Sequence, residues 1–132
     1  MIYHKDYAGL FALWNERRID YLVVGGYAVA FHGAPRFTGD IDLLVRPDEP
    51  SVRGVLDTLK EFGFPAEGVS PDYLISAGKI LEIGRIPVQI HLMTSISGLV
   101  WTEAWDSRVR GRYGDVPVFY LGREALVRSS DR

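Results

Sequence analysis

The chain has 132 residues, of which 47% are hydrophobic, and it contains no cysteine. This length and composition are sufficient for a core, so we expect one domain covering residues 1–132. A chain without cysteine has neither a disulfide framework nor a thiolate metal site, which favours a cytoplasmic protein, and no apolar run predicts a membrane-spanning helix. The formal net charge of −2 argues against nucleic-acid binding through bulk electrostatics, although a local basic patch stays open.

The first third of the chain is predicted to alternate helices and strands. Apolar residues at three- and four-residue spacing predict an amphipathic helix over residues 6–19, capped by Asp6. The run "YLVV" predicts a buried strand over residues 21–24, and a short helix is expected between Gly26 and a stop at Gly33. The loop "RFTG" then leads into a predicted strand "DIDLLV" over residues 40–45.

The rest of the chain continues this alternation. Pro50 near a helix start, apolar residues at helical spacing and Gly63 at a stop predict a second long helix. The runs "KILEIG" and "IPVQIHLM" predict two strands joined by a tight turn near Gly84 to Pro87. A helix in "SGLVWTEAWDSR", a hairpin in "RVRGRYGDVPVFY" and a short helix in "LGREALVR" follow. The order predicts an α+β (α/β-like) fold, a mixed β-sheet flanked by helices.

Two glycines, Gly25 and Gly26, stand where the first predicted strand gives way to a helix. Glycine lets the backbone approach a ligand closely, and a helix start offers free N–H groups at the positive end of the helix dipole. Phosphate would fit there. Taken alone, the pair is a weak signal, because most turns of this kind bind no ligand.

Asp40 and Asp42 stand two residues apart at the start of the next predicted strand. Side chains at this spacing project from one face of a strand, so both carboxylates would lie within reach of one metal ion. Like charges this close are costly without a cation between them. The alternative is that Asp40 caps the loop and Asp42 is solvated, but the combination with the glycine pair favours a metal and nucleotide site.

The order of these motifs resembles the signature of the polymerase-beta-like nucleotidyltransferase superfamily. The matching residues are Val24, Gly25, Gly26, Asp40, Ile41, Asp42 and Leu43. Arg36 and Thr38, in "PRFTGDIDLLV", further resemble the minimal bacterial branch of that superfamily, which includes nucleotidyltransferase toxins of the abortive-infection type. The resemblance covers most of the chain and implies the nucleotidyltransferase fold.

The resemblance also implies an enzymatic activity. Such an enzyme moves a nucleoside monophosphate from a nucleoside triphosphate to an acceptor hydroxyl and releases pyrophosphate. The glycine pair, together with Arg36 and Thr38, would bind the nucleotide, while Asp40 and Asp42 would be catalytic and would hold Mg²⁺ or Mn²⁺. The acceptor would be RNA, a protein or a small molecule, and a helical toxin or antitoxin partner is a further implication.

One position departs from the family pattern. The family usually places a third carboxylate on a neighbouring strand, and in the corresponding run, "VQIHLMTSISG", the matching position holds His91, with Gln89 as a second alignment on the same face. His91 could act as a general base or ligate a softer divalent ion, or it could be a strand histidine with no chemistry. Glu82 on the preceding strand could supply the carboxylate instead. We include His91 among the predicted catalytic residues and leave enzymatic activity open.

This departure leaves a second function open. The alternative to a metal-dependent nucleotidyltransferase is a catalytically impaired module of the same fold that binds a nucleotide or a partner. It is suggested by His91 and by a C-terminal end that is shorter than in many relatives.

Aromatic and basic side chains near the C-terminal hairpin are further candidates for binding. Trp101 and Trp105, four residues apart on a predicted helix, are expected in the core or at a partner surface. Arg108, Arg110 and Arg112 alternate along a predicted strand. They would either contact an acceptor RNA or guard an edge strand against aggregation.

Overall fold

The computed structural model describes residues 5–33, 40–76, 78–85 and 88–130. The helices are α1 (Lys5–Glu16), α2 (Gly25–Phe31), α3 (Glu49–Glu61), α4 (Pro71–Ile75), α5 (Trp101–Asp106) and α6 (Arg123–Ser130). The strands are β1 (Tyr21–Val24), β2 (Asp40–Val45), β3 (Ile80–Arg85), β4 (Val88–Met93), β5 (Val109–Tyr113) and β6 (Val116–Tyr120). This architecture confirms the predicted α+β fold. Within the described ranges, no helix combines the length and apolar character needed to cross a membrane.

Six strands form one mixed sheet in the order β3-β4-β2-β1-β6-β5. The central strand β1 is antiparallel to β2 and parallel to β6, while β2 is parallel to β4. The pairs β3-β4 and β5-β6 are antiparallel. The end of β1 and the starts of β2 and β4 therefore meet at one end of the sheet, where loops and side chains from three neighbouring strands are brought together.

One face of the sheet is closed by apolar packing. Its strand residues are Tyr21, Val23, Ile41, Leu43, Ile90 and Leu92, each at most 3% exposed. Helix α1 covers this face, because the rings of Phe11 and Trp14 lie 5.5 and 5.1 Å from the ring of Tyr21. Burial of each large apolar side chain stabilises the fold by about 1.5–3 kcal/mol. Alternate residues of the same strands project from the opposite face, which includes Asp42 and His91.

Helix α1 ends at Glu16, three residues before the predicted end. The chain turns there in a Schellman motif: the N–H of Ile19 donates to the Trp14 carbonyl at 3.0 Å, and that of Arg18 donates to the Asn15 carbonyl at 3.1 Å. Arg18 adopts the left-handed conformation that the motif requires, with φ 57°. Glycine is the usual residue at this position, so the sequence carries no recognisable stop signal.

Helix α4 has no counterpart in the sequence-based prediction. It spans five residues, and the Ser70 side chain caps it by accepting a hydrogen bond from the Tyr73 N–H at 3.3 Å. A segment this short is below the length at which helical periodicity can be recognised. The predicted turn near Gly84 to Pro87 includes residues 86–87, which lie outside the described residues.

Candidate active site

Asp40 and Asp42 lie at the start of β2, an inner strand of the sheet. Antiparallel pairing places Asp42 opposite Val24, the last residue of β1. The side chains of Asp40 and Asp42 are 32% and 26% exposed, so both carboxylates are half-buried. The pairing of Val24 with Asp42 brings both carboxylates close to the end of β1.

His91 completes a cluster with the two aspartates. Parallel pairing of β2 with β4 places His91 opposite Asp42. The imidazole Nδ1 lies 3.0 Å from Asp42 Oδ1, and Nε2 lies 3.3 Å from Asp40 Oδ2. Nε2 is buried, and it makes no hydrogen bond among the described residues, because its 3.3 Å approach to Asp40 lacks hydrogen-bond geometry. The imidazole therefore lies between the two carboxylates.

The donor set of this cluster suits a divalent cation. Asp40, Asp42 and His91 each offer one ligand atom, and these atoms lie within 4.8 Å of one another. Carboxylate oxygens are ligands for Mg²⁺ and Mn²⁺, whereas an imidazole nitrogen favours a transition metal. A buried Nε2 without a hydrogen-bond partner is a free ligand position in this set.

The two alternative positions for a third ligand lie next to His91. Gln89 pairs with Asp40 across the β2-β4 register, on the same face as His91. Glu82 pairs with His91 across the β3-β4 register, but its Oε1 is 3.9 Å from Nε2 and its side chain is 65% exposed. Glu82 therefore lies at the rim of the cluster, while His91 lies inside it.

The charge of Asp42 is poorly solvated. Burial raises the pKa of this carboxyl, the neighbouring charge of Asp40 raises it further, and the contact with His91 acts in the opposite direction. Two carboxylates in a half-buried site repel each other, so a bound cation would stabilise both.

Asp42 leaves no room for a side chain at Gly25. The φ of Gly25 is +63°, and a Cβ added there would lie 2.1 Å from Asp42 Oδ2. Helix α2 begins at Gly25 itself, so the glycine pair forms the first turn of the helix instead of a separate loop before it. The preceding residue, Val24, makes no side-chain cap. The backbone N–H groups of the first turn therefore adjoin the carboxylate cluster without a capping side chain.

Tyr7 supports the site from α1, a role that sequence reasoning missed. Its hydroxyl donates to the Gln89 carbonyl at 2.8 Å and accepts from the Gln89 N–H at 2.9 Å. Helix α1 thereby holds the strand that carries His91. No sequence pattern links positions 7 and 89, since the two residues meet only through the tertiary fold.

The remaining predicted binding residues are Arg36, Thr38, Arg108, Arg110 and Arg112. Arg36 and Thr38 lie in residues 34–39, outside the described residues. Arg108 precedes β5, and Arg110 and Arg112 are exposed on β5, an edge strand of the sheet. This edge position agrees with the interpretation that the arginines protect the strand against aggregation.

Known proteins were compared with both the sequence and the fold. No protein-family model matches the sequence, and no curated protein is significantly similar to it. A protein from Thermotoga maritima, provisionally named a nucleotidyltransferase, superposes with a TM-score of 0.71 at 15% identity, covering 98% of this chain and 85% of that one. A lincosamide antibiotic adenylyltransferase with bound lincomycin superposes with a TM-score of 0.65 at 14% identity, covering 96% and 84%. The chain therefore has a nucleotidyltransferase fold.

Proposed function

We propose that the protein is a divalent-metal-dependent nucleotidyltransferase, which moves a nucleoside monophosphate from a nucleoside triphosphate to an acceptor hydroxyl. The observation that carries this proposal is the convergence of Asp40, Asp42 and His91 beside the Gly25 turn, at the meeting point of three strands. The fold shared with an adenylyltransferase and with a provisionally named nucleotidyltransferase supports it.

Each residue of the cluster has a role in this proposal. Asp40, Asp42 and His91 would hold the cation, which when bound polarises the phosphate under attack and offsets its charge. Because Gly25 has no side chain, the Asp42 carboxylate can lie against the backbone at the start of α2. The N–H of Gly26, in the first turn of α2, would donate to a phosphate oxygen.

The reaction itself is an in-line displacement at the α-phosphorus. The acceptor oxygen bonds to phosphorus as the bond to the leaving pyrophosphate breaks, and the hydroxyl proton passes to a nearby base. Asp40 is the more exposed of the two aspartates, so we propose that it takes this proton.

The acceptor and the biological setting remain predictions. A small hydroxylated molecule has a parallel in the adenylyltransferase that binds lincomycin. RNA or a protein as the acceptor, binding of nucleotide by Arg36 and Thr38, membership of the minimal bacterial branch, and a toxin–antitoxin partner all rest on the sequence resemblance.

Nucleotide binding tests the proposal before any acceptor is known. Calorimetric titration of ATP, GTP, CTP and UTP with Mg²⁺ or Mn²⁺ should show metal-dependent binding of at least one triphosphate. The double variant Asp40→Asn, Asp42→Asn should lose this binding, and Asp57→Asn, which removes an exposed carboxylate of α3, should keep it. If the wild type binds no triphosphate with either ion, the proposal fails.

Transfer is tested in a second step. Release of pyrophosphate would be measured in the presence of RNA, protein extract and hydroxylated small molecules, with the same variants. Turnover that depends on Asp42 supports the enzyme, whereas triphosphate binding with no turnover on any acceptor class favours the impaired module.

A further inference from the structure

A separate cavity of about 320 Å³ lies at the other end of β1 from the aspartates. Tyr21, which begins β1, lines this cavity, whereas Val24, which ends β1, pairs with Asp42. The rise of a strand therefore separates the cavity from the aspartate cluster by roughly 10 Å. Its volume falls within the range typical of small-molecule sites.

One wall of the cavity is aromatic and held in place. The rings of Trp105 and Phe119 meet edge to face, with centroids 5.5 Å apart. The Arg108 guanidinium lies 4.2 Å from the Trp105 ring and 5.1 Å from the Phe119 ring, and it donates to the Trp105 carbonyl at 2.9 Å. Trp101 stacks on Trp105 at 5.2 Å. An apolar ligand would therefore meet a wall that is already ordered.

The cavity also contains cations without ion-pair partners. Arg18 and Arg110 line it, and neither guanidinium makes a hydrogen bond or an ion pair within the described part of the chain. Asp20 lines it as well, but its carboxylate pairs with Arg46 at 3.2 Å. The cavity consequently presents two unpaired positive charges and one neutralised negative charge.

Arg18 lines the cavity from the position that closes the Schellman motif at the end of α1. Its φ of 57° lies in the left-handed region, at the helix-end position where glycine is the usual residue. A non-glycine residue in this conformation costs about 1–2 kcal/mol. Glycine would therefore be more stable than arginine at this position, so the Arg18 side chain can be removed there without loss of stability.

We propose that this cavity binds a small aromatic anion. The planar body lies against the Trp105 and Phe119 wall, and the phosphate, sulfonate or carboxylate group lies between Arg18 and Arg110. A mononucleotide and an aromatic acid share this chemistry. The proposal does not rest on nucleotidyl transfer, because none of the cavity residues belongs to the Asp40, Asp42 and His91 cluster.

Calorimetric titration in the presence of EDTA tests the proposal, because chelation of divalent ions removes metal-dependent triphosphate binding. The probes are AMP, naphthalene-2-sulfonate and the uncharged naphthalen-2-ylmethanol. Saturable binding of AMP alone indicates a nucleotide ligand, and binding of the sulfonate alone indicates an aromatic acid. Binding of both confirms the shared chemistry, and the alcohol should bind at least tenfold more weakly. If neither anion binds, or if the alcohol binds as tightly, the proposal is overturned.

The Arg18→Gly variant separates function from folding. Removal of the left-handed strain should raise the Tm, while the loss of one charged contact should weaken anion binding about tenfold or more. Arg110→Gln should weaken binding by a similar factor. Arg112→Gln removes the same charge from the same strand outside the cavity and should leave affinity unchanged. Unchanged affinity in Arg18→Gly, or an equal loss in Arg112→Gln, would contradict the assignment.

Discussion

The backbone conformation of Gly25 and the position of the Asp42 carboxylate depend on each other. Gly25→Ala would place a Cβ 2.1 Å from Asp42 Oδ2 in a backbone with φ +63°. The conformational cost alone is about 1–2 kcal/mol, and Asp42 must also move. We therefore expect a lower free energy of unfolding in urea, together with loss of metal-dependent nucleotide binding in calorimetry.

The matched control for this prediction is Gly33→Ala. Gly33 also has a positive φ, of +97°, but an added Cβ would have no neighbour within 4 Å among the residues that the structure describes. Gly33→Ala should therefore lose stability through backbone strain and keep metal-dependent nucleotide binding. Equal binding by the two variants would show that the contact between Gly25 and Asp42 does not shape the site.

Asp42 is expected to lower the stability of the metal-free protein. Burial and the charge of Asp40 raise its pKa, so just above pH 3.8, its ordinary value, the folded state holds a proton that the unfolded state has lost. The free energy of unfolding therefore falls as pH rises from 3.8 to the raised pKa of Asp42, and it stays lower at neutral pH. Asp42→Asn should raise the free energy of unfolding in EDTA at pH 7, with a smaller gain below pH 3.8. Urea unfolding at both pH values checks this, and a variant less stable at pH 7 would contradict it.

At the scale of the elements, strand register decides which side chain is the third ligand. The β2-β4 register places His91 beside both aspartates. His91→Asp exchanges an imidazole for a hard oxygen ligand. We expect the variant to bind Mg²⁺ more tightly, relative to Mn²⁺, than the wild type does, by about tenfold. Competition between the two ions, followed by the Mn²⁺ electron paramagnetic resonance signal, measures this ratio.

Glu82→Gln is the control for this register argument. Glu82 is on β3 beside His91, but it is exposed and 3.9 Å away, so its loss should change the affinity for either ion less than twofold. A loss of metal binding in Glu82→Gln as large as in His91→Ala would mean that Glu82, and not His91, is the third ligand.

Across the whole molecule, sequence predicted the features that depend on local pattern. The bounds of β1 and β2 and the shared face of Asp40 and Asp42 follow from hydrophobic runs and from the two-residue period of a strand. The mixed sheet follows from the order of helices and strands along the chain. The proximity of His91 to the aspartates depends on the pairing of β2 with β4, which composition and periodicity do not encode. The left-handed position at residue 18 is occupied by arginine and not by glycine, the residue type that would have marked it. Helix α4 is too short for a helical period to be recognised.

The hydrogen bonds between Tyr7 on α1 and Gln89 on β4 give a prediction for the stability of the whole fold. Tyr7 is fully buried, and its hydroxyl satisfies both backbone groups of Gln89. Tyr7→Phe leaves these groups without that partner, so we expect the free energy of unfolding at pH 7 to fall by about 1–3 kcal/mol. An exposed tyrosine, Tyr73, provides the control, and Tyr73→Phe should change stability by less than about 0.5 kcal/mol.

The Tyr7 hydroxyl also makes the stability difference between wild type and Tyr7→Phe depend on pH in the alkaline range. Burial raises the pKa of Tyr7 to about 12, so between pH 10 and 12 the folded protein keeps a proton that the unfolded chain has lost. The unfolded state then binds fewer protons, and stability falls as pH rises through this window. Phenylalanine has no such proton, so the stability gap between wild type and Tyr7→Phe should narrow from pH 7 to pH 11. Urea unfolding at pH 7, 10 and 11 measures the gap, and a constant gap would show that the Tyr7 hydroxyl does not titrate differently in the two states.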